Sequence, residues 1–155
     1  MTGTIDARLK ELGITLPVPP APVASYVPYA ISGKLVFISG QITLADGAVK
    51  YVGTVGKDLT LEDGQAAARL CGINLLAQIK AAAGGDLDKV KRCVKLGVFV
   101  NAVPGFGQHP EVANGASDLM LAVFGDAGRH ARAAVGAGSL PRNVAVEVEA
   151  VFELA

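Results

Sequence analysis

Apolar side chains return at every second residue over Val94, Leu96, Val98 and Val100, and again over Val144, Val146, Val148, Ala150 and Phe152. That is the period at which a strand presents one face to a core. Leu70, Ile73, Leu75, Leu76 and Ile79 instead cover more than one side of a helix, which predicts a largely buried helix. Its start is marked by Thr60 with Asp63 three residues on, a capping pattern, and its end falls at about Ala83, before Gly84-Gly85. A second helix is predicted from about Pro110 to Phe124, with Val112, Ala116, Leu119, Met120 and Val123 as its stripe and Gly125 beyond its end. Tyr26 to Ile31 and Lys34 to Ser39 are β-prone runs around Ser32-Gly33 and predict a hairpin. Asp46-Gly47 leads into a further strand over Ala48 to Val52, and a short strand is expected from Arg132 to Val135. At the N-terminal end, Ile5, Leu9 and Leu12 make the stripe of a short amphipathic helix stopped by Gly13. The next stretch, Leu16 to Pro22, contains four prolines, which remove backbone donors and favour an extended tether.

Three strands, helix, strand, helix, strand, strand is the order expected of an α+β two-layer sandwich, a mixed sheet with both helices on one face. The chain then divides into residues 1–22, the N-terminal helix and proline-rich tether, and residues 23–155, one domain. The second face of the sheet needs cover, and another copy of the chain is the natural source. Composition agrees, because 51% of the residues are hydrophobic and only 18% are charged, too apolar a balance to coat a lone protomer. Net charge is zero, and Lys89, Lys91, Arg92 and Lys95 form the one modest basic cluster; alternating with apolar residues at a strand entry, they read as a solvated face, which argues against nucleic acid as a partner. Cys71 and Cys93 are too far apart for a close-spaced metal motif, so free buried thiols in a reducing compartment are expected. With no signal-peptide pattern and no membrane-spanning run, the expected location is cytoplasmic, with no membrane partner.

Candidate chemistry gathers near residues 130–149. Arg132 stands on a short extended segment, and on the strand that follows Leu140-Pro141, Glu147, Glu149 and Glu153 share the face opposite the apolar set. An arginine presents a planar fork that fits a carboxylate two bonds at a time. Arg132 and the carboxylates are therefore expected on adjoining segments as a small-anion site. Cover by a neighbouring subunit would leave Glu147 partly desolvated and able to position or deprotonate a water. His130 lies two residues from Arg132 and on its face of an alternating strand; it is either a proton donor at the mouth of such a site or, the commoner arrangement, a histidine satisfied by nearby backbone. His109, next to Pro110, reads as a loop or cap residue.

The run Arg132-Ala133-Ala134-Val135, Leu140-Pro141 and Val146-Glu147-Val148-Glu149 resembles the signature of the Rid superfamily, also called the YjgF or L-PSP endoribonuclease family. Tyr26-Val27 and Val36-Phe37-Ile38-Ser39-Gly40-Gln41 are similar to its N-terminal hairpin, and the helix from Thr60, Val98-Phe99-Val100 and Asn114 follow in matching order, so the likeness covers about residues 22 to 155. The resemblance implies a chorismate-mutase-like homotrimer with sites in the clefts between subunits. It implies hydrolysis of 2-imino acids or their 2-aminoacrylate tautomers to 2-keto acids and ammonia, with no metal and no organic cofactor. By the same resemblance Arg132 grips the substrate carboxylate, Glu147 attends the hydrolytic water, Tyr26 lines the cleft, and Ser39, Gly40 and Asn114 line or support it. The chain departs from the pattern where His130 stands in place of a proline and Ala133-Ala134 in place of Ser-Cys, so that Ala134 offers a ligand only its backbone. A carboxylate-binding or protein-interaction module without turnover is the alternative, and ribonuclease activity ranks last for want of a basic stripe with stacking aromatics.

Overall fold

A computed structural model describes residues 3–19 and 24–155. Seven strands and three helices follow in the order α1 (Thr4–Glu11), β1 (Tyr29–Ser32), β2 (Leu35–Gln41), β3 (Leu44–Ala45), β4 (Ala48–Val49), α2 (Leu61–Ala82), β5 (Val90–Asn101), α3 (His109–Phe124), β6 (Ala131–Ala137) and β7 (Val146–Leu154). The expected α+β sandwich is present. Five strands form a mixed sheet in the order β1-β2-β7-β5-β6, while β3 and β4 make a separate two-stranded ribbon. Only β5 and β6 run parallel, joined through α3; β7 pairs antiparallel with β2 on one side and β5 on the other.

The alternation read in the sequence settles the faces. Val146, Val148, Ala150 and Phe152 of β7, with Val36 and Ile38 of β2 and Leu96, Val98 and Val100 of β5, are buried beneath the helices. Each large side chain so buried contributes about 1.5–3 kcal/mol. Thr60 and Asp63 form the expected reciprocal capping box at the start of α2. Leu75, Leu76 and Ile79 of that helix are fully enclosed. Helices α2 and α3 cross closely because glycines meet along their seam: a β-carbon at Gly115 would land on the Gln65 carbonyl, and one at Gly72 would come within 2.8 Å of Leu119.

Boundaries differ from the expected ones where the backbone has a local reason. The first strand starts at Tyr29 rather than Tyr26, since Pro28 has no N–H to extend the ladder. The strand expected over 48–52 pairs only at Ala48–Val49; Tyr51 takes a positive φ of 49°, and Val52 makes a lone bridge to Val144. Strand β5 begins earlier, at Val90. Helix α1 is docked on the domain. The Asp88 carboxylate accepts from the N–H groups of Thr4 and Ile5, both at 2.9 Å, Arg8 Nε donates to the Ala122 carbonyl at 2.8 Å, and Leu9 and Ile14 are buried. The proline-rich tether falls partly outside the described residues; its described part, Leu16 to Pro19, is neither helix nor strand.

The second sheet face is open. Phe37 and Val135 on it are nearly half exposed, at 46% and 48%, and Leu35 is 36% exposed, so the face carries apolar surface that a monomer would leave in water.

Candidate functional site

The proposed site residues fall into two groups. Arg132 lies opposite Leu96 in the β5–β6 register and therefore points to the helix side of the sheet. There its Nη1 donates to Asn114 Oδ1 at 2.8 Å and to Ser117 Oγ at 3.1 Å, both on α3. Ala134, two residues on, shares that face and packs against the core. His130 also reaches Ser117, with Nε2 2.8 Å from Oγ, while Nδ1 lies 2.6 Å from the Gly128 carbonyl. The satisfied histidine is the arrangement observed.

Glu147 lies opposite Phe99 and points to the open face. It rests on Gly40, where a β-carbon would collide with its carboxylate. Strand β2 makes room by an irregularity: Ile38 pairs with Ala150 and Gln41 with Val148, leaving Ser39-Gly40 bulged between them. Ser39 fastens the segment before β1, donating from Oγ to the Val27 carbonyl at 2.7 Å and from its N–H to the Pro28 carbonyl at 2.9 Å. Tyr26 stands on that segment, 57% exposed.

Arg132 and the carboxylates are thus not on adjoining segments. Strand β5 lies between β6 and β7, and the arginine and Glu147 leave opposite faces of the sheet. The sequence shows the two-residue period of each strand but not which strand lies between them. One protomer therefore carries an arginine half, Asn114, Ser117, His130, Arg132 and Ala134, and an acid half, Tyr26, Ser39, Gly40 and Glu147. Ser117, only 7% exposed, was missed by sequence reasoning. Its signal was a hydroxyl next to Ala116 within an otherwise apolar helix stripe.

Electrostatics separates the two halves as well. Loss of solvent, followed by the nearby charge of Glu149, raises the Glu147 carboxyl above the ordinary carboxylate range, which suits a group that exchanges protons. The thiols are chemically quiet: burial pushes Cys93 up to about 12 and raises Cys71, whose Sγ donates to the Val146 carbonyl, further still. A groove of about 420 Å³ runs between Leu12 and Ile14, α2 and α3, with Asn114 on its wall, and a hollow of about 140 Å³ lies on the open face beside Lys95 and Glu149. Neither is lined by Arg132 or Glu147. Among the described residues no group of three His, Cys, Asp or Glu side chains is placed to hold a metal ion. None of the described helices is long and apolar enough to cross a membrane.

The family described as "YjgF/chorismate mutase-like, putative endoribonuclease" matches residues 6–154. The Trypanosoma cruzi protein TCP17 is 51% identical over 154 residues, 99% of this chain and 96% of its own length. A solved structure from Shewanella oneidensis, named a "putative endoribonuclease", is 37% identical, with a TM-score of 0.94 over 98% of this chain and 100% of that one. RidA from an Antarctic Psychrobacter is 27% identical, with a TM-score of 0.59 over 88% of this chain and 94% of that one. The family match spans nearly the whole chain, and the chain belongs to the YjgF/chorismate mutase-like (Rid) family.

Proposed function

We propose that this chain assembles as a homotrimer and hydrolyses small 2-imino acids, or the 2-aminoacrylate enamines they tautomerise with, to 2-keto acids and ammonia without a cofactor. The observation that carries this reading is the splitting of the site: an arginine held ready for a carboxylate on one edge of the protomer, and a glutamate with a raised proton affinity on the open apolar face. A second copy laid on that face can bring the Arg132 of one subunit to the Glu147 of another.

The chemistry asks little of such a cleft. An imine carbon is already electrophilic, so the protein has to orient the substrate by its carboxylate and deliver a water. Arg132 holds the carboxylate; Glu147 takes a proton from the attacking water and passes it to the imine nitrogen, then takes the remaining hydroxyl proton of the carbinolamine and delivers it to that nitrogen as the C–N bond breaks, leaving the keto acid and ammonia. His130, with both ring nitrogens engaged, supports the arginine rather than the leaving group. Release of keto acid and ammonia from enzymatically generated 2-iminobutanoate tests the proposal, and equal rates for wild type and Arg132→Ala would overturn it.

A second reading, capture of a small carboxylate without turnover, is favoured by the methyl side chains of Ala133 and Ala134, which bring no chemistry to the arginine's strand. It predicts Arg132-dependent thermal stabilisation by 2-oxobutanoate with no product formed from the imine.

A further inference from the structure

We propose that Ser117 and His130 are positioning residues that lock the Arg132 guanidinium in one orientation, with its Nε and Nη2 edge presented to a carboxylate. The inference rests on the cleft reading above and adds how the arginine is made ready. A carbonyl only accepts, so the Gly128 oxygen at 2.6 Å requires a proton on His130 Nδ1. In the neutral ring Nε2 is then an acceptor and takes the Ser117 hydroxyl proton across 2.8 Å. With its proton so directed, Ser117 Oγ has lone pairs left for Arg132 Nη1 at 3.1 Å. Each donor has its acceptor, and the direction of every bond in the chain Arg132, Ser117, His130, Gly128 follows from the first.

Asn114 Oδ1 takes the same Nη1 at 2.8 Å. Asn114 and Ser117 are three residues apart on α3 and therefore neighbours on its surface, so two oxygens fixed to one rigid helix hold a single corner of the guanidinium. Among the described residues Nε and Nη2 make no hydrogen bond, which leaves the side-on edge that pairs with both oxygens of a carboxylate. Ser117 is buried, so this hydroxyl does not exchange its partners for bulk water. An arginine fixed in advance gives up less freedom on binding.

Two measurements separate the relay from the cleft reading. In histidine-15N-labelled protein, the NMR spectrum of His130 should show the Nδ1–H tautomer, with an Nε2 shift that moves toward the unbonded value in Ser117→Ala; an Nε2–H tautomer overturns the relay whatever the ligand. In turnover of 2-iminobutanoate, Ser117→Ala should raise KM about tenfold with kcat nearly unchanged, and Ser117→Thr, which keeps the hydroxyl, should restore it. If wild type shows no turnover, the Kd for 2-oxobutanoate by calorimetry takes the place of KM. An unchanged KM or Kd in Ser117→Ala, or a loss that Ser117→Thr leaves unrepaired, overturns the positioning role. Wild type that neither turns over nor binds, with the Nδ1–H tautomer present, overturns the cleft reading and keeps the relay.

Discussion

Coexpression of Arg132→Ala and Glu147→Gln chains should regenerate activity that neither variant has alone. Arg132→Ala removes a charge-assisted contact worth about 1.5–3 kcal/mol per hydrogen bond, a loss of about 10- to 150-fold in kcat/KM for each bond. Glu147→Gln removes a base worth about 100-fold or more. Because the two residues leave opposite faces of one protomer, a cleft built from both takes its arginine from one chain and its glutamate from the next. In a random equal mixture each wild-type half is present with even odds, so about one quarter of the clefts in any closed ring are intact. The fraction is the same for a dimer or a trimer. The assay is keto acid release from 2-iminobutanoate by hybrids carrying two different affinity tags and purified on both in succession. Selecting for both tags excludes the pure assemblies and raises the expected recovery to about one third of the wild-type rate for a trimer and about one half for a dimer. Hybrids of native size that show only the residual rate of the parents would refute the shared cleft.

Gly40→Ala places a methyl group where the Glu147 carboxylate lies; it should cost about 1–3 kcal/mol in urea melts and remove most turnover while the far-UV circular dichroism stays native. The raised proton affinity of Glu147 means that the folded chain holds this proton at a pH where the unfolded chain has released it, so this group destabilises the fold progressively as pH rises above the ordinary glutamate value of about 4.3. Glu147→Gln should accordingly melt at a higher temperature than wild type at pH 7.5, with the difference vanishing near pH 4; an equal difference at both would refute the assignment. Asp88→Ala strips the N–H groups of Thr4 and Ile5 of their acceptor and should cost about 0.5–2 kcal/mol, seen as faster amide hydrogen exchange over residues 4–14 and little change in β5 and β7.

Local rules were legible where one element carries its own signal. Thr60 and Asp63 announced the α2 cap, and the alternation through Val146, Val148, Ala150 and Phe152 announced which side of β7 is buried. Motif order along Tyr26, Ser39-Gly40, Asn114, Arg132 and Glu147 also pointed to the family. Strand neighbours were not legible, because pairing depends on contacts distant in sequence: only eight residues connect β6 to β7, yet β5 lies between them. That single fact turned an expected arginine–carboxylate cluster into two halves. Ser117 stayed hidden because a small hydroxyl in an apolar stripe looks the same whether it fills space or carries a hydrogen bond.

Strand β7 has a consequence for how the protein is made. It supplies the middle of the sheet, pairing with β2 and β5 at once, although residues 146–154 are translated after every other strand. Until that stretch leaves the ribosome, β2 and β5 have no strand to join them, and each leaves unpaired the edge that β7 will bond to. Folding must wait for long-range pairing, which is intrinsically slow and leaves strand edges open to other nascent chains. A stop codon at position 146, which removes β7 and Ala155, would therefore leave two unjoined fragments of a sheet rather than a slightly shortened protein.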